Sequence, residues 1–389
     1  MLTDPNKNVS GGNVNTLRPQ PLGLYIHIPY CIHKCGYCDF NSHLIDQGEM
    51  GAYVDALLVE IEHYAQSHSS GREVQTLFLG GGTPSLFSPE AVRKLINRLR
   101  QVLVFDPSVE ITMEANPGTV DRNKFSGFLD AGVNRLSIGA QSLSDKQLKS
   151  LGRIHSSNDV LGSVETARQV GFKNFNLDLM HGLVNQSLND AMLDLKRAIA
   201  LNPTHISWYQ LTIEPNTLYY KDPPTLPDDD HLWEIYSTGL DLLADHGYQR
   251  YEISAYSKPG FQSRHNLNYW QFGDYLGIGA GAHGKLTRHN TVTRSYKTRV
   301  PENYLRNPNT NVVELRREDL PLEFLMNALR LTEGFTPDLF RERTGLEPPM
   351  LESFLSIARE RQLIDGSSER IKATSLGFQF LNESLLLVN

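Results

Sequence analysis

Apolar runs long enough to cross a bilayer are missing from this sequence of 389 residues, and so is an excess of basic residues. A membrane-spanning helix needs about 20 consecutive apolar residues, and no stretch of the chain approaches that length. Acidic side chains outnumber basic ones by 44 to 37, a formal net charge of −7, which argues against a nucleic-acid partner. With 40% hydrophobic and 21% charged residues, the composition is that of a soluble globular protein.

Cysteine is scarce as well, because the sequence has only Cys31, Cys35 and Cys38. An odd number argues against a disulfide framework. Residues 1–20 are polar and lack the apolar core of a signal peptide, so we expect a disordered N-terminal tail and a reducing, cytoplasmic location. Structural zinc would need a fourth ligand; His33 lies inside the loop, but zinc sites usually come as two separated pairs. Buried structural cysteines would be scattered along the chain.

Three thiolates at this spacing can hold three corners of a cubic iron–sulfur cluster. An ordinary electron-transfer cluster takes four cysteine ligands, so one iron would be left without a protein sulfur. An iron with an open position can bind and activate a small molecule. The missing fourth cysteine is therefore the feature that points to function.

Short apolar runs alternate with stretches of helical periodicity from residue 22 to about residue 254, which is typical of β/α units around a parallel sheet. About six such units fit, fewer than the eight of a closed barrel. One helix has Leu188, Met192, Leu195 and Ile199 on one face, with Ser187 placed to cap its first turn. The predicted strands span residues 24–28, 76–79, 110–114, 135–138, 174–179 and 205–211, with a further one at 251–255.

Glycine and polar residues follow these strands at their carboxyl ends, where barrel folds gather their chemistry. The cysteine loop follows the first strand, and Gly80-Gly-Gly-Thr-Pro84 follows the second. Glu114, Gln141 and Asp178 end the next three. Residues that are far apart in the sequence are therefore expected to meet at one rim.

The Cys-x3-Cys-x2-Cys loop after a strand resembles the signature of the radical S-adenosylmethionine (SAM) family. The resemblance implies a 4Fe-4S cluster whose open iron is chelated by the amino and carboxylate groups of SAM, and reductive cleavage of SAM to a deoxyadenosyl radical. It also implies the fold class, which is α/β with an incomplete parallel (β/α)6 barrel. The six predicted units agree with that expectation.

The resemblance also carries over a set of residues at the strand ends as the SAM site. Consecutive glycines let a backbone pass close to a ligand, here the methionine amino group. Carboxylates can accept hydrogen bonds from ribose hydroxyls or the ammonium, and a guanidinium can pair with the SAM carboxylate. Taken singly, each charged residue could equally be a surface ion pair or a strand-end cap. The predicted SAM contacts are Gly81, Gly82, Thr83, Glu114, Gln141, Arg153 and Asp178, with Tyr25 as a neighbour of the cluster. Tyr37 and Phe40 lie beside the cysteines, where they could pack around the cluster or the adenine, or equally well pack only the loop.

Two branches of the radical SAM family are similar to nearly the whole chain. Oxygen-independent coproporphyrinogen III dehydrogenases have a fourth cysteine two residues after the third, where this sequence has Phe40. Heme chaperones resemble it more closely, and imply a bound heme that is passed to an acceptor such as a respiratory-chain protein. The alternative is an enzyme that oxidatively decarboxylates coproporphyrinogen III. The stretches that resemble heme chaperones are residues 25–31, 38–43, 176–182, 208–217 and, above all, His265-Asn-Leu-Asn-Tyr-Trp270.

The last of these stretches has side chains that suit a porphyrin. The His265 imidazole could supply an axial bond to heme iron, and Tyr269 and Trp270 offer flat apolar faces to the macrocycle. The alternative is an aromatic corner that packs the end of the barrel. His283, which follows a glycine-rich segment, is a second candidate to face the heme.

The predicted order of domains follows from these assignments. Residues 21–290 form the partial barrel with the heme motif as an extension, and residues 291–315, rich in Lys, Arg and Asn, form a linker. Residues 316–389 form a small helical, winged-helix-like domain with amphipathic helices at 322–331 and 350–362 and a short strand at 370–374. The mixed charges of this domain do not suit a DNA-reading helix, so we expect it to cover the barrel or its substrate.

Overall fold

The architecture comes from a computed structural model of the chain, which describes residue 17 and residues 20–45, 49–67, 71–288, 290–365 and 369–388. Apart from residues 17 and 20, the predicted N-terminal tail lies outside the described residues. Within those ranges, no helix combines the length and the apolar character that crossing a bilayer requires.

A single open sheet, parallel at its centre, organises the fold. The described strands are β1 (Leu22–Ile28), β2 (Tyr30–Cys31), β3 (His43–Leu44), β4 (Val74–Gly81), β5 (Phe105–Ala115), β6 (Arg135–Gln141), β7 (Phe175–His181), β8 (His205–Gln210), β9 (Gln249–Glu252), β10 (Ala255–Ser257), β11 (Asp274–Ile278), β12 (His283–Arg288), β13 (Thr291–Lys297) and β14 (Thr310–Glu314). The small pair β2-β3 stands apart, and the other strands follow the order β14-β13-β12-β11-β1-β4-β5-β6-β7-β8-β10-β9.

The six neighbours from β1 to β8 in that order pair in parallel, as predicted for an incomplete (β/α)6 barrel. Their residues are buried almost throughout, as in parallel strands that are covered on both faces. Because parallel strands all end at the same edge, their carboxyl ends form one rim. The fold class predicted from the sequence is confirmed.

Helices connect the parallel strands and pack their apolar faces on the sheet. Helix α6 begins as predicted, because the Ser187 side chain accepts from the Asp190 amide while the Asp190 carboxylate accepts from the Ser187 amide. Met192 and Leu195 on its inner face are buried. The described α-helices are α1 (Glu49–Ser67), α2 (Pro89–Val102), α3 (Arg122–Asp130), α4 (Asp145–Ser150), α5 (Ser157–Val170), α6 (Leu188–Ala200), α7 (Leu218–Lys221), α8 (Asp229–Asp245), α9 (Arg264–Trp270), α10 (Pro301–Arg306), α11 (Leu320–Ala328), α12 (Pro337–Thr344), α13 (Glu352–Glu360), α14 (Ser375–Gln379) and α15 (Leu381–Leu385).

The strand predicted at 251–255 is divided in two in the structure. Ile253 and Ser254 form a turn between β9 and β10, and these two strands pair antiparallel at the edge of the sheet. The apolar run read as one strand is therefore a tight hairpin, because a short apolar run does not reveal a turn within it.

The segment 291–315, predicted to be a linker, instead contains β13, α10 and β14 and extends the other edge of the sheet. Its charged residues, which suggested an exposed linker, make ion pairs with distant elements. Lys297 is buried against Glu60 of α1, and Arg294 Nη2 lies 2.6 Å from the Glu323 carboxylate of α11. A basic residue that pairs within the fold cannot be told from a solvated one by composition.

The C-terminal helices have an apolar core of their own. Phe324 lies at its centre, with ring centroids 4.9 Å from Phe335 and 5.2 Å from Phe340. At the strand predicted for 370–374, the structure has a backbone bridge between Ile371 and Phe335.

Two of these helices match the predicted ones, since α11 and α13 correspond to 322–331 and 350–362. The C-terminal region contacts α9, because the Arg330 guanidinium lies 4.3 Å from the centre of the Trp270 ring. The winged-helix-like character and the domain boundaries stay predictions.

Candidate functional site

The three cysteines lie on the wall of one cavity of about 460 Å³ at the carboxyl ends of the parallel strands. Cys31 ends β2, while Cys35 and Cys38 lie in the loop that follows, and all three thiols are free. Within the described residues, no three His, Cys, Asp or Glu side chains converge closely enough to hold a single metal ion. All three thiols border the same cavity. Thiolates that border one space can each hold a different iron of a cluster.

The surroundings of Cys31 and Cys38 oppose the ionisation of these two thiols. Burial raises the pKa of Cys31 and of Cys38, and the charges of neighbouring thiolates raise both further. The Thr83 hydroxyl, which donates to Cys31 Sγ at 3.4 Å, and the charge of Arg153 lower the pKa of Cys31 and offset part of the rise. Arg153 Nη1 also lies 3.8 Å from Cys35 Sγ. Cysteines bind metals as thiolates, so a positively charged group in this space would favour the ionised form of all three. The residues present fit an iron–sulfur cluster.

The predicted glycine-rich stretch runs against the cysteine loop. The Thr83 amide donates to the Tyr30 carbonyl at 2.8 Å, and a Cβ on Gly82 would lie 2.6 Å from the same oxygen. Gly81 has a φ of +116°, and its missing Cβ leaves room for the His27 ring. Only glycine allows backbones and rings to approach this closely. These residues hold the end of β4 beside the cysteines.

Two half-buried carboxyl groups, Glu114 and Asp178, line the same cavity. Glu114 accepts from the Gly81 amide at 3.0 Å, and Asp178 accepts from Ser137 Oγ and Asn176 Nδ2 at 2.8 Å each. Burial, and then the charge of Asp178, raise the pKa of Glu114 to about 8. Burial also raises the pKa of Asp178. A ligand with a positive charge and hydroxyl groups would stabilise both carboxylates.

Arg153 and Gln141 complete the polar wall of the cavity. Arg153 donates to the Gly139 carbonyl at 3.1 Å, while its Nε is buried without a hydrogen-bond partner among the described residues. Gln141 has a φ of +65°, and its Oε1 accepts from the Tyr209 hydroxyl at 2.7 Å. A left-handed backbone at a non-glycine residue persists only where its surroundings hold it. The unused guanidinium N–H suits a carboxylate ligand.

The aromatic residues predicted around the cluster lie in two places. Tyr37 and Phe40 line the cavity. The Tyr37 ring packs near Tyr219, with a distance of 6.4 Å between ring centres. Tyr25, on β1, is not among the lining residues and contacts Phe78 within the barrel. Of the predicted set, Tyr25 is therefore the residue that the structure does not bring to the cavity wall.

Tyr209 lines the cavity and His27 packs against Gly81 behind it, although sequence reasoning did not single out either residue. The His27 ring accepts from the Tyr25 hydroxyl at 2.9 Å and donates to the Asn41 carbonyl at 2.8 Å. Burial lowers the pKa of His27 to about 4, so the ring is neutral at neutral pH. Both residues lie near carboxyl ends of parallel strands, the same signal that identified Glu114.

The predicted heme motif does not lie at this cavity. His265 in α9 is 1% exposed, with Nδ1 2.8 Å from Thr76 Oγ1 and Nε2 2.9 Å from the Tyr269 hydroxyl. Its ring stacks on Phe78, with 5.1 Å between ring centres. Both ring nitrogens are thus engaged inside the barrel. The role of His265 as an axial ligand stays a prediction, one that requires α9 to move.

Of the other three predicted heme contacts, Tyr269 packs against His265, with 4.6 Å between ring centres, and the remaining two are placed apart. Trp270 faces the C-terminal region, where Arg330 covers its ring. His283, by contrast, is exposed at the start of β12. Of the predicted heme histidines, His283 is the one that a ligand from solution can reach.

Comparison with known proteins finds similar sequences and a similar solved structure over most of the chain. The family model of the radical SAM superfamily matches residues 25–197. The chain is 48% identical to the heme chaperone HemW of Escherichia coli over 374 residues, which covers 94% of this chain and 98% of that protein. It is 46% identical to HemW of Haemophilus influenzae, again over 94% of this chain and 97% of that protein. The solved structure of Escherichia coli coproporphyrinogen III oxidase (HemN), a radical SAM enzyme, superposes with a TM-score of 0.81 over 96% of this chain and 91% of that one, at 22% identity.

The superfamily model matches the part of the chain that forms the incomplete parallel barrel, with three thiols at its carboxyl rim. The mitochondrial radical S-adenosyl methionine domain-containing protein 1 of Mus musculus is 36% identical, over 80% of this chain and 74% of that protein, and places the chain in the radical SAM class. The likeness to the oxidase shows the fold alone. Within that class the chain belongs to the family of HemW heme chaperones.

Proposed function

We propose that this chain is a heme chaperone, which binds heme, carries a 4Fe-4S cluster on Cys31, Cys35 and Cys38, and passes heme to an acceptor protein. The proposal is supported chiefly by one observation: three free thiols border a cavity whose wall also holds two half-buried carboxyl groups. Family membership over 94% of the chain adds the heme-chaperone function. Free thiols also suit a reducing compartment such as the cytoplasm.

SAM is the proposed ligand of the rest of the cavity. With both groups bound, the site would supply reductive one-electron cleavage of SAM, for which an external reductant provides the electron. Glu114 and Asp178 would accept hydrogen bonds from the ammonium and the ribose hydroxyls, and the free Nε–H of Arg153 would pair with the carboxylate. The remaining proposed SAM contacts are Gly81, Gly82, Thr83 and Gln141, with Tyr37 beside the cluster.

The alternative, oxidative decarboxylation of coproporphyrinogen III, has less support. The position of the fourth cysteine in those enzymes is occupied by Phe40, whose side chain is 59% exposed. A phenyl ring cannot supply the thiol that those enzymes have at this position.

A paired measurement on one sample tests the proposal. After anaerobic reconstitution, iron and labile sulfide are measured, and the same protein is titrated with hemin. We expect about four irons and a saturable Soret change at about one heme per chain. The heme-loaded protein should then pass its heme to an apo-heme protein, with the Soret band moving to the acceptor.

A variant with Cys31→Ser, Cys35→Ser and Cys38→Ser is the matched control, because serine keeps the size of the side chain but binds iron poorly. It should lose iron and sulfide and keep hemin binding. Absence of saturable hemin binding in the wild-type protein would overturn the proposal. So would repeated turnover of coproporphyrinogen III with SAM and a reductant.

A further inference from the structure

An exposed surface adjoins the cysteine loop on the side of β12 and β13. We call it the β12–β13 face and define it by His283, Tyr296, Arg299, Val300 and Phe40. All five side chains are exposed, and Phe40 also lines the cavity of the cysteines.

Hydrogen bonds fix this face to the cysteine loop. Asn41 Nδ2 donates to the Arg299 carbonyl at 3.0 Å and to the Ala280 carbonyl at 3.1 Å. His43 Nε2 donates to the same Arg299 carbonyl at 3.1 Å. Asn41 and His43 therefore connect the cysteine loop to the segments before β12 and after β13.

His283 offers an available imidazole on this face. It is exposed, and neither ring nitrogen makes a hydrogen bond to a residue that the structure describes. Its partner across the strands is Tyr296, whose ring centre lies 6.3 Å away at an angle of 31°. Partial burial, and then Arg294 and Arg299, lower the pKa of His283, which favours the neutral imidazole that binds iron.

The rest of the face has the two other features that a heme requires. Phe40, Tyr296 and Val300 expose 59%, 43% and 41% of their surface, which offers apolar contact to a flat macrocycle. The Arg299 guanidinium makes no ion pair with the described part of the chain, and a guanidinium can pair with a propionate through two parallel hydrogen bonds.

We propose that the β12–β13 face is the heme site, with His283 as an axial ligand of the iron and Arg299 paired with a propionate. Tyr296, Val300 and Phe40 contact the macrocycle. This proposal rests on the proposed function of heme delivery and adds the place where the heme binds. An exposed face leaves the second side of the macrocycle open, which suits transfer to an acceptor. His265, buried with both nitrogens engaged, keeps its place in the barrel.

Hemin titration of the reconstituted protein, with the absorption and magnetic circular dichroism spectra of the complex, tests the axial ligand. We expect His283→Ala to weaken hemin binding about tenfold or more and to lose the spectral signature of an imidazole ligand. Free imidazole should restore that signature in His283→Gly, which a merely structural effect would not do. His246→Ala, which removes an exposed histidine at the end of α8, should bind hemin as the wild type does.

The propionate contact has a test of its own. Arg299→Ala should weaken hemin binding several-fold, whereas Arg361→Ala, which removes an exposed arginine of the C-terminal region, should not. With hemin dimethyl ester, which has no charged propionates, wild type and Arg299→Ala should bind equally. An Arg299→Ala variant that binds hemin as the wild type does would overturn this contact.

The possible outcomes distinguish a wrong heme site from a wrong chaperone function. Saturable hemin binding in the wild type with an unchanged affinity and spectrum in His283→Ala would overturn the site and leave the chaperone function standing. Loss of the imidazole signature in His265→Ala instead of His283→Ala would overturn it as well. Failure of the wild type to bind hemin would overturn both.

Discussion

Replacing His265 by alanine asks whether this histidine stabilises the barrel or binds an iron. Its ring makes two buried hydrogen bonds, at 2.8 Å to Thr76 and 2.9 Å to Tyr269, and stacks on Phe78. Each lost hydrogen bond costs about 1 kcal/mol, and the cavity left by the ring adds about 2–3 kcal/mol. We therefore expect His265→Ala to lower the free energy of unfolding by about 4–5 kcal/mol.

Urea unfolding of the cluster-free protein, followed by far-UV circular dichroism, measures this change. Tyr269→Phe removes one of the hydrogen bonds and should cost about 1–3 kcal/mol, because it leaves a buried ring nitrogen without a partner. The double variant should lose less than the sum of the two single changes, since both residues share that bond. The exposed-histidine control His246→Ala should stay within about 0.5 kcal/mol of the wild type.

A different result would refute the reasoning. If His265→Ala lowered the free energy of unfolding by less than about 1 kcal/mol and also removed the imidazole signature from the heme spectrum, the ring would be free for iron in solution. The hydrogen bonds to Thr76 and Tyr269 would then not hold α9 in place.

Two further predictions concern the SAM site. Burial and the charge of Asp178 raise the pKa of Glu114 to about 8, so this carboxyl is neutral at pH 7 before SAM binds. The affinity for SAM, measured by isothermal titration calorimetry, should therefore rise by up to about tenfold per pH unit towards pH 8, and it should rise less in Glu114→Gln. The same dependence of affinity on pH in both proteins would contradict the assignment. Gly82→Ala should reduce iron content and SAM affinity, because its Cβ would lie 2.6 Å from the Tyr30 carbonyl oxygen. The control Gly51→Ala, at an exposed position of α1 with nothing within 4 Å of the added Cβ, should keep both. Equal losses in the two variants would argue against a local cause.

Much of the site can be predicted from short stretches of the sequence. The spacing of Cys31, Cys35 and Cys38 predicts the cluster because ligands close in sequence stay close in any fold of the loop. The glycines before Thr83 predict a close backbone approach, and the structure has one against Tyr30. The alternation of apolar runs and helical periodicity predicts the parallel sheet, which in turn brings Glu114 and Asp178 to one rim.

Charged and aromatic residues outside these stretches were harder to interpret. Lys297, in the predicted linker, is buried against Glu60 of α1. His265 was read as a ligand because an imidazole beside two aromatic rings suits heme, yet its partner Thr76 lies 189 residues away. A sequence shows that such a side chain needs a partner, but not which one the fold supplies.

The sequence by itself determined the cluster loop, the glycine approach and the parallel core, because each depends on neighbours in the chain or on a repeat that every β/α unit shares. Only the tertiary structure decided that His265 is enclosed, that His283 is accessible and that residues 291–315 belong to the sheet. The physical reason is that accessibility and hydrogen-bond partners depend on residues brought together from distant parts of the chain, and those contacts exist only once the sheet has formed.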